Sequence, residues 1–302
     1  MLSTAKPARP SFRKERLKRV ITPYLFVLPN TLIFSVFIVF PAFLGLYYAF
    51  HDYDGLNEMR FLGLENYIEL LTDKAFWQVM GRTFTYVITV VPLSFACALG
   101  IALLLTQDIR LRGLYRAVFY WPVMISFIIV GLTWKWIFGD SFGIVNYLME
   151  QSGAEPVRWL TDSCWAKVSV IIATLWSRIG FYMVIFIAGL QAIPEDYYEA
   201  ARIDGASRSR IFWSITLPLL KPTSLLVLIL STIEMVKQYP LMLALTSGGP
   251  NKATTYIVQY IYETGFDKLE LGLASAMSVV LFCIIGIFTI IQFRLGKGGA
   301  YD

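Results

Sequence analysis

The sequence predicts an all-α integral membrane protein with six transmembrane helices. Three observations carry that expectation. Apolar residues make up 57% of the chain and charged residues only 16%, against about 45–50% and about 25% in soluble domains. The apolar residues gather in long runs. A helix of about 20 residues crosses a hydrocarbon core about 30 Å thick with every backbone group satisfied inside the segment. Between the runs, basic and acidic residues segregate to alternate sides.

Six runs meet the length requirement: Tyr24 to Phe50, Phe84 to Leu105, Ala117 to Ile137, Val168 to Leu190, Ser224 to Leu245 and Leu271 to Phe293. The first exceeds the about 7–15 apolar residues of a cleaved signal and lacks a small-x-small site after it, so it is expected to remain as a span. One side of the runs holds Lys6, Arg9, Arg13, Lys14, Arg16, Lys18 and Arg19, then Arg110, Arg112 and Arg116, then Arg202, Arg208, Arg210 and Lys221, then Arg294 and Lys297. The other holds Asp52, Asp54, Glu58, Glu65, Glu69 and Asp73, then Asp140, Glu150, Glu155 and Asp162, then Glu263, Asp267 and Glu270. Flanking Lys and Arg resist translocation, so the basic side reads as cytoplasmic and holds both termini. The chain then divides into a basic tail (1–20), a first transmembrane helix (21–55), an external loop (56–80), a core of five spans (81–295) with a cytoplasmic loop at 191–221, and a closing tail (296–302).

The same inventory argues against other classes. Cys97, Cys164 and Cys283 stand far apart with no CxxC pair, and the single histidine, His51, has no second ligand to share a metal. No zinc site, disulfide framework or histidine catalysis is expected. The net charge of +5 reflects basic segments beside spans, which are drawn to anionic lipid; nucleic acid is not an expected partner. The longest loops run about 30 residues, too short for an independent core.

The loop between the fourth and fifth runs, IPEDYYEAARIDGASRSRIFWSITLPLLKP, reads as two short helices joined by a bend. Pro194 suits a first helical turn, with Glu195 and Asp196 at the positive dipole end. Gly205 closes that helix in the left-handed conformation. Ser207 caps the next, whose Ile211, Phe212 and Ile215 form an apolar stripe, and Pro218 interrupts it. Ala200 and Ala201 present a small-residue surface that another backbone can approach.

Glu199, Ala200, Ala201, Gly205, Ile215, Leu217 and Pro218 fit E-A-A-x3-G-x9-I-x-L-P at every fixed position. Here the chain resembles the membrane permease subunits of binding-protein-dependent ABC importers. The resemblance implies a type I ABC importer permease fold. It also implies that Pro194 to Gly205, with Asp204 just before the closing glycine, is a coupling helix seated in a groove of a separate ATPase. ATP-driven closure of two ATPase subunits would rock the spans between inward-open and outward-open states. A second permease subunit in a heterodimer, embraced by the first span, an external solute-binding protein and a bacterial cytoplasmic membrane follow from the same likeness. No GxxxxGK[ST] occurs, and Gly296-Lys297-Gly298 lacks the rest of that pattern. This chain is therefore expected to be no enzyme and to bind no cofactor, with ATP and Mg handled by the partner.

The resemblance runs from about Leu25 to Phe293. FLGLENYIELL at Phe61 to Leu71, LRGLYRAVFYWPVMIS at Leu111 to Ser126 and LTSGGP at Leu245 to Pro250 look like the maltose-type branch, which takes up oligosaccharides and related polyols. A sugar path needs aromatic faces for ring surfaces and polar side chains for hydroxyls at membrane depth. Arg178 and Tyr182 stand one turn apart, and Glu234, Lys237 and Gln238 fall on one helical face. Charges inside spans cost at least about 2.5–3.5 kcal/mol at the centre, so they face a cavity or a partner. These regions contribute to the sugar site in maltose-type relatives, whose fifth span carries asparagines where this chain has Glu234, Lys237 and Gln238. Two readings stay open: these residues line the path, or Glu234 and Lys237 pair structurally, with each other or, for Lys237, across the subunit interface. Trp134, Trp136 and Trp165 read as belt aromatics near the outer boundary.

A secondary transporter driven by an ion gradient is the competing class. It would use intramembrane acidic relays and repeat-related broken helices, whereas Glu234 is the only acid inside the six runs. A membrane enzyme would need a nucleophile–base or metal constellation, and none is apparent.

Overall fold

Some apolar runs stay continuous and others bend in the computed structural model, which describes residues 12–296, with side chains from Arg19 onward. The basic residues Lys6, Arg9 and Lys297, and the side chains of Arg13, Lys14, Arg16 and Lys18, lie outside the described residues. Four helices are long and apolar enough to cross a membrane unaided: Arg19–Tyr48, Lys74–Leu105, Ser163–Gln191 and Leu271–Leu295. At about 1.5 Å per residue even the shortest exceeds the hydrocarbon core. Asp73 and Asp162 start the second and third of them, each carboxylate accepting two amide hydrogens of the first turn. Two bent pairs, Arg112–Met124 with Phe127–Ile137 and Arg208–Leu219 with Lys221–Val236, raise the number of spans to six when each pair counts as one.

The third run therefore differs from the continuous Ala117 to Ile137 helix expected from hydropathy. It turns by 101° between Met124 and Phe127. Pro122 sits in a 3₁₀ turn, Trp121–Met124, and Ile125 is extended; a proline cannot donate to the preceding turn, and its ring crowds the carbonyl four residues back. Phe127–Ile137 has 11 residues, about 16 Å, half a bilayer core. The fifth run is also interrupted. Helix Lys221–Val236 stops, Lys237 to Tyr239 leave the helix, and Pro240–Thr246 forms a separate short helix. Pro240 removes a donor and disfavours helical geometry at Tyr239, whose φ is −134°. The two short helices pack on each other through Gly131, where a Cβ would lie 2.7 Å from the Ala244 Cβ and 2.8 Å from the Leu241 carbonyl.

The core sits where the second, fourth and fifth spans meet. Tyr182, Met183, Phe186 and Met235 are fully enclosed there, with Phe95 edge-on to Phe186 at 5.0 Å between ring centroids. Glycine sets the closest approaches. Gly180 in the fourth span lies against the Phe119 carbonyl and the Tyr120 backbone, so the bend of the third span is seated on it. Gly189 lies against the Thr223 side chain near the opposite end of the fifth span.

At the acidic end, His51–Asp52 pairs antiparallel with Arg60–Phe61, in register His51 to Phe61. Asn66 donates to the Ala49 and His51 carbonyls, and the Gly272 amide donates to the Tyr53 carbonyl at 3.0 Å. The acidic end of the first span is thereby tied to the sixth. Its remaining length touches little: Tyr24, Phe26 and Phe37 are 71%, 81% and 72% exposed. The 139–162 loop is ordered by buried Asn146, which donates to the Asp140 and Val157 carbonyls and accepts from the Val157 amide and the Trp159 indole. Trp134 corrects the belt reading by packing inside on Phe138 and Trp176, whereas Trp165, edge-on to Trp159, stays exposed at 40%. Trp136 is the most exposed of the three, at 66%.

Candidate functional site

The broken end of the fifth span opens a cavity of about 490 Å³ lined by Phe127, Arg178, Phe181, Glu234, Lys237 and Gln238, among others. Each lining group is placed by a local feature of the sequence. Phe127 opens the helix that follows the Pro122 bend, and its ring lies 4.1 Å from the Arg178 guanidinium carbon, a cation–π distance. Arg178 and Tyr182 share one face of the fourth span, as the one-turn spacing predicts. Glu234 is in the last turn of Lys221–Val236 and receives both: Arg178 Nη2 pairs with its Oε1, and the Tyr182 hydroxyl donates to its Oε2 at 2.7 Å. One shell further in, the Tyr86 hydroxyl shares a hydrogen bond with Thr174 Oγ1 at 3.0 Å and packs on the Tyr256 ring.

The paired-charge expectation is corrected here. Glu234 pairs with Arg178 rather than with Lys237, the guanidinium being brought to it by the packing of the fourth span against the fifth. Lys237 is the C-cap residue, φ −84° and ψ −2°, where a cation faces the negative end of the helix dipole. Among the described residues no carboxylate stands within ion-pairing distance of it. Gln238 is buried, and its Nε2 has no acceptor. Phe127 was not among the residues the sequence singled out. Its only local signal is its place just after the Pro122 bend.

At the basic end, the 191–221 loop forms a knob. Its first helix is Asp196–Ile203, so the helix expected from Pro194 begins two residues later, with the Pro194 carbonyl accepting from the Tyr197 amide. Gly205 closes it at φ +71°. The Ala206 amide donates to the Ala201 carbonyl and the Gly205 amide to the Arg202 carbonyl, the paired bonds of a Schellman cap. Ser207 then caps Arg208–Ile211 by accepting from the Arg210 amide. A π-helical turn, Phe212–Thr216, precedes Leu217 and Pro218, absorbing the donor that the proline lacks. Glu199, Ala200, Asp204, Gly205 and Pro218 are exposed, Ala201 is buried, and Ile215 and Leu217 are half-buried against the spans. Tyr198 and Thr216, not singled out from sequence, tie the two halves at 3.3 Å between their hydroxyls. Beside them a second cavity, about 720 Å³, is bounded by Thr106, Gln107 and Asp108 of the preceding loop on the same side.

Helical spans packed around Gly180 and Gly189, a charged cavity at a broken helix and a capped knob between two spans define a multi-pass membrane permease. Residues 95–298 match the family model described as binding-protein-dependent transport system inner membrane component, and the chain belongs to that family. It is 36% identical over 275 residues to the trehalose/maltose transport system permease protein MalF of Thermococcus litoralis, covering 91% of this chain and 93% of that one. It is 34% identical to the sn-glycerol-3-phosphate transport system permease protein UgpA of Agrobacterium fabrum, over 91% and 94% of the two chains. A crystal structure of a bacterial ABC transporter involved in the import of the acidic polysaccharide alginate contains a chain that superposes with a TM-score of 0.82 at 23% identity, over 94% of this chain and 97% of that one. The fold is that of the type I ABC importer permeases.

Proposed function

We propose that this chain is a transmembrane permease subunit of an ATP-driven, binding-protein-dependent importer of oligosaccharides or related sugars, working by alternating access. The knob carries the reading. Its Schellman-capped helix presents Glu199, Ala200 and Asp204 to solvent on the basic side, with no glycine-rich phosphate loop in the chain to accompany it. In this reading both termini are cytoplasmic and the knob seats in a separate ATPase that binds ATP and Mg. Pro194, Glu199, Ala200, Ala201, Asp204, Gly205, Ile215, Leu217 and Pro218 shape or support the docking surface. A second permease pairs with the chain, and an external solute-binding protein delivers cargo. The sugar assignment is supported by the named relatives, which serve trehalose, maltose and glycerol phosphate. Arg178, Tyr182, Glu234, Lys237 and Gln238 bound the cargo path through this half of the transporter.

Uptake into vesicles carrying the complete complex tests the driving force. Uptake is expected to survive a protonophore while ATP remains, and to stop when ATP hydrolysis is blocked. The reverse pattern would identify an ion-gradient transporter.

A further inference from the structure

The fifth-span cavity keeps a positive charge that its own lining does not neutralise. Glu234, the only acid lining it, has one oxygen on Arg178 and the other on Tyr182. The Arg178 charge is met by Glu234 and covered on one face by Phe127. The Lys237 ammonium has no carboxylate near it among the described residues, and the buried Arg178 Nε and Gln238 Nε2 have no acceptor. The charged side chains of the lining, Arg178, Lys237 and Glu234, sum to one net positive charge. A neutral sugar offers as many donors as acceptors through its hydroxyls and leaves that charge unanswered. One further cavity, about 310 Å³ between the second and fourth spans, has the same sign, lined by Arg82 and Lys167 with no acid, whereas the cavity beside the knob includes Asp108 and Glu195.

We propose that the cavity at Lys237 takes a carboxylated sugar, with Lys237 as the residue that reads the charge and Gln238 as an accompanying donor. The proposal rests on the permease reading and refines its cargo. A single flexible ammonium beside an already engaged guanidinium suits a singly charged carboxylate; a phosphate dianion is matched better by several cations or a free bidentate arginine. Lys237 stands at a helix C-terminus, where the helix dipole favours a cation without a protein carboxylate.

The test uses the complete complex in nanodiscs, without the solute-binding protein, and three ligands on one ring: glucose, glucuronate and glucose 6-phosphate, compared by saturation-transfer NMR at neutral pH. Glucuronate is expected to bind about tenfold more tightly than glucose, a difference of about 1.4 kcal/mol, and more tightly than the phosphate ester. Lys237→Gln should abolish that preference, Lys237→Arg should largely keep it, and added salt should narrow it. Equal binding of glucose and glucuronate overturns the proposal, as does no binding of any of the three. A loss shared equally by all ligands in Lys237→Gln assigns Lys237 to the subunit interface instead, and tighter glucose 6-phosphate binding replaces the carboxylate by a phosphate. Each of these outcomes leaves ATP-dependent uptake intact, so the permease reading fails only in the vesicle assay.

Discussion

Tyr182 and Glu234 join the fourth span to the broken end of the fifth, the phenol donating to one carboxylate oxygen at 2.7 Å while Arg178 holds the other. The carboxylate is divided between two residues one helical turn apart, so it cannot turn toward the cavity without losing a partner. Burying such a pair costs desolvation that geometry must offset. The side chains are 17% exposed for Arg178 and 27% for Glu234, so the balance falls short of a fully enclosed pair.

Removing one partner should therefore destabilise more than removing both. Glu234→Leu and Arg178→Leu are each expected to cost roughly 2 kcal/mol, below the about 3–5 kcal/mol of fully buried pairs, and the double variant to regain most of it. Thermal unfolding of the four proteins in detergent closes the cycle. Purely additive losses would mean that the pair contributes nothing beyond its separate side chains.

Gly205 tests the knob. Its φ of +71° meets no neighbouring atom within 4 Å where a Cβ would stand, so the penalty for Gly205→Val is one of backbone conformation, about 1–2 kcal/mol. The Schellman bonds should loosen, and uptake should fall severalfold or more while the external receptor still binds its ligand. Gly205→Asn, which tolerates the left-handed region, should retain more activity. Equal uptake in all three proteins would remove the knob from the transport cycle.

Gly180 tests the packing of the bend. A Cβ there would lie 2.8 Å from the Phe119 carbonyl carbon, a backbone atom that has no easy way to yield. Gly180→Ala is expected to cost about 1–3 kcal/mol, whereas Gly100→Ala, in a helix position with nothing within 4 Å, should be neutral or slightly stabilising. Melting temperatures of the two variants decide the matter.

Much of this was legible from local chemistry. The Gly205 stop and the Ser207 cap each depend on residues within a turn of one another, so the sequence displays both partners; the Asp73 and Asp162 caps, equally local, appear in the sequence reading only as acidic loop residues. The bends at Pro122 and Pro240 were visible as prolines, but a hydropathy window averages over them and reports a continuous span. The partner of Glu234 was not legible. Lys237, three residues away, is the nearer cation in sequence, while Arg178 becomes the nearer one in space only after the fourth and fifth spans pack. Phe127 shows the same limit, since its contact with Arg178 depends on a 101° turn whose direction no local pattern specifies.

The close approach of Gly189 to the Thr223 side chain lies beside the loop that carries the knob. About 16 Å further along the same helix, at 1.5 Å per residue, Arg178 meets Glu234. The fourth and fifth spans are thus pinned to each other twice, once near the knob and once at the cavity. Two struts fastened at two levels form a truss, so in the transport cycle proposed above a pull on the loop between them would tilt the pair together and carry the Arg178–Glu234 pair with it.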